Sequence, residues 1–262
     1  MPKIISTHSF RGGTGKSNAT ANLAVLTARA GYRVGIIDTD IQSPGIHVLF
    51  QIAESDLRYS LNDYLWGKCA IQDAAYDVTE RGLGSDLNGA ERPKLFLIPS
   101  SLKTGEIARI LREGYDVALL NDGLQDLLKH LRLDFLFIDT HPGVNEETLL
   151  SIAVSDLLLL IVRPDQQDFQ GTAVAVELAR KLEVPEMLLI VNKVPPGTDL
   201  DQLRLDVETL YAADVAAVLP LSTEMVRNAS SDLFCNRYPT HPLTQELAQV
   251  VQRIVGSPTP SA

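Results

Sequence analysis

Cysteine is scarce in these 262 residues, with only Cys69 and Cys235 present. They lie far apart and form no Cys-x-x-Cys pattern, which excludes a disulfide scaffold, a cysteine-only metal site and ligation of an iron–sulfur cluster. Their plain reading is small packed residues in a reducing cytoplasm. Long apolar runs are missing too: the longest, Leu157 to Val162, has strand length and falls far short of the ~20 residues that span a bilayer. Positive charge is in deficit, with 23 Lys and Arg against 33 Asp and Glu for a net charge of −10. Such a surface works against non-specific attraction to DNA or anionic lipid, although a local basic patch could still do either.

What is present fits a soluble α/β protein. A hydrophobic fraction of 45% supports a substantial core, and an even alternation of strand-like and helix-like segments favours one domain over residues 1–255. The uncharged stretch 256–262, rich in Pro and Ser, is expected to be a disordered tail. Met1-Pro2-Lys3 leads straight into an extended run with no resemblance to a signal peptide, so a cytoplasmic location is expected.

The most informative stretch is Phe10-Arg11-Gly12-Gly13-Thr14-Gly15-Lys16-Ser17. It lies between the extended run Lys3–Ser9 and a helical pattern from Lys16 to Ala30. A phosphate oxygen needs several N–H donors at close range, and Gly12, Gly13 and Gly15 clear the backbone for that approach. The N–H groups of Gly15, Lys16 and Ser17 open a helix at its electropositive end. Lys16 can reach β- and γ-phosphates, and the Ser17 hydroxyl can ligate Mg²⁺. The spacing is that of G-x-x-x-x-G-K-[ST], except that Phe10 stands where the first glycine belongs.

Further along, two apolar strands close on an acid. Val34–Ile37 ends at Asp38 and Phe135–Ile138 at Asp139, which places both carboxylates where ligands of open α/β sheets bind. Other strands are expected at 95–98, 157–162, 187–191 and 215–219. Helices are expected as a short pair between Ser60 and Tyr76, at 106–112, at 124–131, after Asp165 to Leu182, at 200–211 and at 243–255. Trp66 and the nearby tyrosines suit core or interface anchors. Residues 79–93 are polar and contain Gly, which predicts a surface loop.

Taken together these segments resemble the ParA/MinD family of P-loop ATPases. Its deviant phosphate loop, usually Lys-Gly-Gly-x-Gly-Lys-[Ser/Thr], matches Arg11–Ser17 with Arg11 in place of the first lysine. Asp38-Thr39-Asp40 matches the family's first switch, and Asp139-Thr140-His141-Pro142-Gly143 its second. The resemblance implies a P-loop fold with a twisted, mostly parallel sheet and helices on both faces. It also implies ATP and Mg²⁺ as ligands. In family terms, Asp40 positions the attacking water, and Asp38 and Asp139 act with Ser17 at the metal. Residues 12–18, including Thr14 and Asn18, cradle the phosphates, and the Gly143 N–H senses the γ-phosphate. Asn192 would read adenine, since Pro195 replaces the carboxylate of the guanine motif, and Pro220 and Leu221 would cover the base. His141 stands at a variable position and is favoured as a polar loop residue over a catalytic one.

The implied activity is slow ATP hydrolysis coupled to an ATP-dependent homodimer. Arg11 would reach across to the partner's phosphates, and Lys16, Asp40 and Arg11 would carry catalysis. Such switches position or partition a cargo or regulate a protein partner. MinD proteins end in a basic amphipathic helix that binds membrane; no basic residue follows Arg253, so no membrane-targeting tail is expected. ParA proteins bind DNA through basic residues, for which Arg204, Arg227, Arg237 and Arg253 are candidates and solvated surface charges are the alternative. A bacterial tyrosine kinase of this superfamily would carry a tyrosine-rich tail, which is absent. The serious rival is a module that holds ATP or ADP, hydrolyses it weakly and recruits a protein partner, and Arg11 keeps that rival alive.

Overall fold

Strands too apolar to face water on either side must be covered on both, and one twisted sheet meets that demand. The computed structural model describes residues 2–84 and 93–256. Among them run β1 (Lys3–His8), β2 (Arg33–Asp38), β3 (Tyr76–Asp77), β4 (Lys94–Ile98), β5 (Phe135–Asp139), β6 (Leu157–Val162), β7 (Glu186–Val194) and β8 (Asp214–Pro220). Their order is β3-β4-β2-β5-β1-β6-β7-β8, parallel throughout except for the edge strand β3.

The two faces alternate residue by residue. Phe135, Phe137, Leu157, Leu159 and Ile161 face α1 (Lys16–Arg29) and the helix Pro242–Gly256. On the other face Leu136 and Ile138 meet the helices Leu61–Leu65 and Val117–His130, while Leu158, Leu160 and Val162 meet Gln166–Lys181 and Leu200–Tyr211. Each fully buried aliphatic side chain contributes on the order of 1.5–3 kcal/mol.

The strand order fixes the site. After β1 the chain crosses through α1 to β2, yet the strand beside β1 on that side is β5, and β6 lies on its other side. Loops leaving β1, β2 and β5 therefore emerge together at one sheet edge, the crevice where ligands of such sheets bind. In register, Asp139 of β5 lies beside Asp38 of β2 and Thr7 of β1.

The expected strands and helices are present, with local differences. Residues 79–83, expected as loop, form a short helix, and residues 85–92 of that expectation lie outside the described residues. The helix expected at 124–131 begins earlier, at Val117, where the Asp116 side chain caps it by accepting from Ala118 N–H. A Cβ on Gly123 would stand 2.7 Å from the Tyr64 ring, so the glycine serves helix packing. Helices at Ile46–Leu49, Glu146–Ala153 and Phe234–Arg237 were not expected, nor was β3, whose two residues carry too little pattern. Gly256 ends the last helix; the tail beyond it, 257–262, lies outside the described residues. Among the described residues no helix is long and apolar enough to cross a membrane.

Candidate functional site

β1 stops at His8 and the next seven residues loop back to open α1 at Lys16. Gly13 (φ +77°) and Gly15 (φ +93°) take left-handed backbone, which only glycine adopts without strain. A Cβ on Gly15 would also stand 2.5 Å from Asn192 Nδ2. Two cavities meet at this turn. One of about 370 Å³ runs over Gly12–Asn18 and reaches Asp40, Ser43 and Pro142. The other, about 230 Å³ and mostly apolar, is walled by Ala19, Leu221, Met225, Val226 and Leu247, and shares Gly15 and Asn18 with the first.

Lys16 is buried, and its Nζ lies 2.7 Å from Oδ1 of the equally buried Asp139. The Thr20 hydroxyl also reaches that oxygen at 3.1 Å, one helical turn along α1. Asp139 Oδ2 is buried with no hydrogen-bond partner, as is Thr14 Oγ1. Both are oxygens facing no protein donor.

Asp38, expected beside the metal, is wholly buried and occupied with backbone. Its Oδ1 accepts from the Asp40 N–H at 3.0 Å, and Oδ2 from Gly45 N–H at 3.1 Å and Ile46 N–H at 3.4 Å. Burial first, then the neighbouring Asp139, push its carboxyl up to about 7, against Lys16 and the Gly45 N–H, which pull it down. Its observed work is to fold the loop that presents Asp40. That second acid reaches the larger cavity, and its Oδ1 lies 2.7 Å from His141 Nδ1 and 3.1 Å from Ser43 N–H.

His8 was not singled out by sequence, yet it is completely buried at the end of β1. Its Nδ1 lies 2.9 Å from Thr140 Oγ1, whose hydroxyl donates to Thr7 O at 3.0 Å, so the imidazole is the donor to Thr140. Burial, followed by Lys16 and His141, pushes its pKa down to about 3, and the ring is neutral. It ties the start of the loop after β5 to β1. Gly143 (φ +87°) is engaged as well, donating its N–H to Ser9 O at 3.2 Å.

Asn192 lies at the mouth of the apolar cavity, but its carboxamide serves the loop: Nδ2 donates to Thr14 O at 2.8 Å and Oδ1 accepts from Lys193 N–H at 2.9 Å. Lys193 Nζ donates to Gly13 O at 2.6 Å. Pro220 and Leu221 line the same cavity, and Ser222 beside them caps the helix Thr223–Asn228 by accepting from Met225 N–H at 3.1 Å. The remaining wall, Met225, Val226, Leu243 and Leu247, was missed, because its apolar residues carry no local signature of ligand contact. Ser17 is half-buried at the first turn, and Asn18 donates to Ser230 Oγ at 3.2 Å.

Arg11 is exposed and faces its own subunit. Its Nη1 lies 3.6 Å from Asp168 and 3.8 Å from Asp165. Asp168 is already held by Arg163 through bonds of 2.7 and 3.1 Å. Phe10 beside it packs on Gly171, in the helix Gln166–Lys181 that also carries Asp168.

Residues 5–233 match the model of the CobQ/CobB/MinD/ParA nucleotide binding domain. The chain belongs to that family. An uncharacterized ATP-binding protein of Methanocaldococcus jannaschii is 26% identical over 261 residues, covering 98% of this chain and 89% of the relative. Among solved structures, the septum site-determining protein MinD of Pyrococcus horikoshii, complexed with Mg-ADP, superposes with a TM-score of 0.77 at 19% identity, covering 97% of this chain and 96% of the other. The MinC:MinD cell division complex of Aquifex aeolicus contains a chain that superposes at 0.78 with 18% identity, covering 99% and 98%. As a member of the MinD/ParA family, the chain has the family's mostly parallel sheet, with the phosphate loop after its first strand.

Proposed function

We propose that this chain is an ATP-binding and ATP-hydrolysing switch of the MinD/ParA type, a single domain over residues 1–255 that pairs with a second copy on Mg-ATP and acts on a protein partner or cargo in the cytoplasm. The observation that carries this reading is the junction of the two cavities at Gly15 and Asn18. A phosphate-sized polar trough joined to an apolar slot fits a nucleotide with its phosphates on Gly12–Asn18 and its base against Leu221, Met225 and Val226.

The oxygens present suit magnesium. Ser17 and Asp139 would hold it directly or through water, since Asp139 Oδ2 is buried without a partner, and Asp38 would act through the loop it folds. Bound there, the ion would offset phosphate charge. Lys16 would exchange Asp139 for the phosphates while Asp40, on the trough wall, would hold the attacking water. The Gly143 N–H would exchange Ser9 O for a phosphate oxygen, coupling the second switch to nucleotide state. Asn192 would support base binding by bracing the loop, and Pro220 and Leu221 by covering the ring.

A second reading, a weakly hydrolysing module that recruits a partner, is favoured by Arg11, which faces Asp165 and Asp168 of its own subunit. A planar guanidinium is not a neutral exchange for a lysine at a cross-subunit phosphate contact. Three of the four candidates for DNA contact are engaged within the chain, which weighs against DNA binding through them: Arg204 donates to Val215 O, Arg253 pairs with Asp214 at 2.9 Å, and Arg237 donates to Asn228 Oδ1 at 3.4 Å. Light scattering with ADP·Mg and then ATP·Mg separates the readings. A mass that doubles with ATP alone, and stays monomeric in Lys16→Ala, is the expected result; indifference to nucleotide favours the module.

A further inference from the structure

The carboxylate that faces the phosphate trough does not stand alone. Asp40 is buried at the start of the loop after β2, and two donors converge on one of its oxygens: His141 Nδ1 at 2.7 Å and the Ser43 N–H at 3.1 Å, both on Oδ1. A carboxylate oxygen only accepts, so the imidazole is the donor. With both donors on Oδ1, Oδ2 is the oxygen left to accept from a ligand. Asp40 lines the trough whereas His141 does not, so the imidazole stands behind the acid. His141 is itself fixed, because its carbonyl accepts from Thr148 Oγ1 at 3.2 Å and its neighbour Thr140 is held by His8.

From this geometry we infer that His141 is a positioning residue for hydrolysis: its Nδ1–H fixes the rotation of the Asp40 carboxylate so that Oδ2 is aimed at the attacking water. The inference rests on the ATPase reading and adds a residue to it. The same bond joins the loop after β2 to the loop after β5, so either loop moves with the other. Removing the donor leaves Oδ1 with the longer Ser43 N–H bond, so the carboxylate is held less firmly about χ2 and can swing away from the water. Misdirection of that size at a reacting group slows chemistry by roughly tenfold or more while leaving ground-state binding intact.

The test uses the full chain and two readouts, single-turnover ATP hydrolysis and titration with a fluorescent ATP analogue in the presence of Mg²⁺. His141→Ala is expected to lose roughly tenfold in rate with nucleotide affinity unchanged. His141→Asn, whose Nδ2 stands where Nδ1 was, is expected to recover most of that loss, and His141→Gln, whose amide lies too far out, is not. In an Asp40→Ala background the His141→Ala substitution is expected to cost nothing more. Thermal melts identify any variant that has lost its fold, and the His141→Asn and His141→Gln pair carries the test if His141→Ala has. Wild-type chain that hydrolyses while His141→Gln matches it would overturn the inference alone. Wild-type chain that binds Mg-ATP without hydrolysing it would overturn the ATPase reading and the inference together.

Discussion

Replacing Gly171 by alanine is expected to displace the phosphate loop from a helix one strand away. The new Cβ would stand 2.1 Å from Phe10 Cδ1, 2.5 Å from Cγ and 2.9 Å from Cβ, where ordinary contact begins near 3.4 Å. Because the inner atoms of the side chain are struck as well as the ring, rotation of the ring cannot relieve the overlap, and the Phe10 backbone must shift. Overpacking of this kind costs about 1–3 kcal/mol, and alanine in place of glycine within a helix returns about 1 kcal/mol. Net stability should fall by roughly 0–2 kcal/mol, but nucleotide affinity should fall further, because Phe10 leads directly into the N–H groups that would meet phosphate. Urea unfolding and titration with a fluorescent nucleotide measure the two effects. The double variant Phe10→Ala, Gly171→Ala removes the ring, so alanine should then stabilise the helix and the two substitutions should couple strongly. If Gly171→Ala binds nucleotide like wild type and the pair is additive, Phe10 has no role in placing the loop.

Gly15→Ala should abolish tight nucleotide binding. Its φ of +93° and a Cβ 2.5 Å from Asn192 Nδ2 would drive the carboxamide off Thr14 O, and an affinity within twofold of wild type would contradict this. His8 predicts a pH effect on stability. Its pKa is about 3 folded against 6.5 unfolded, so below pH 6.5 the unfolded chain takes up a proton that the folded chain refuses. Stability therefore falls with pH, by about 2 kcal/mol at pH 5. Asp38 works in the opposite direction between about 7 and its ordinary value of 3.8, because there the folded chain holds the extra proton. The His8 share is isolated by comparison with His8→Asn, whose deficit at pH 7 should shrink by about 2 kcal/mol at pH 5 in urea unfolding; a constant deficit would rule out the buried neutral imidazole as its source.

The phosphate loop was legible because its demands are local. Glycines at 12, 13 and 15, then Lys16 and Ser17, state the backbone conformation and the helix start within eight residues, and a run such as Phe135–Ile138 closing on Asp139 announces both a buried strand and an acid at its end. The alternation of such runs with helical spacing was enough for the α/β class. Where the helix Val117–His130 ran on past its expected start, the side chain that leaves room only for glycine at 123, Tyr64, lies far away in sequence.

Pairings across the sheet were invisible, since the strand order that sets β5 between β2 and β1 is a property of packing and leaves no mark in any one segment. That order alone brings Lys16 to Asp139, buries Asp38 beside Asp139 so that burial first and the neighbouring charge second raise its carboxyl to about 7, and joins His141 to Asp40. It also turns Asn192 inward to brace Thr14, and assembles an apolar slot from Ala19, Met225 and Leu247, residues that look like any others of a core. The sequence by itself determined what chemistry was on offer and which turns could present it. Which groups meet was decided by tertiary structure, because hydrogen bonds and ion pairs act over a few ångströms while their partners here lie a hundred residues or more apart in the chain.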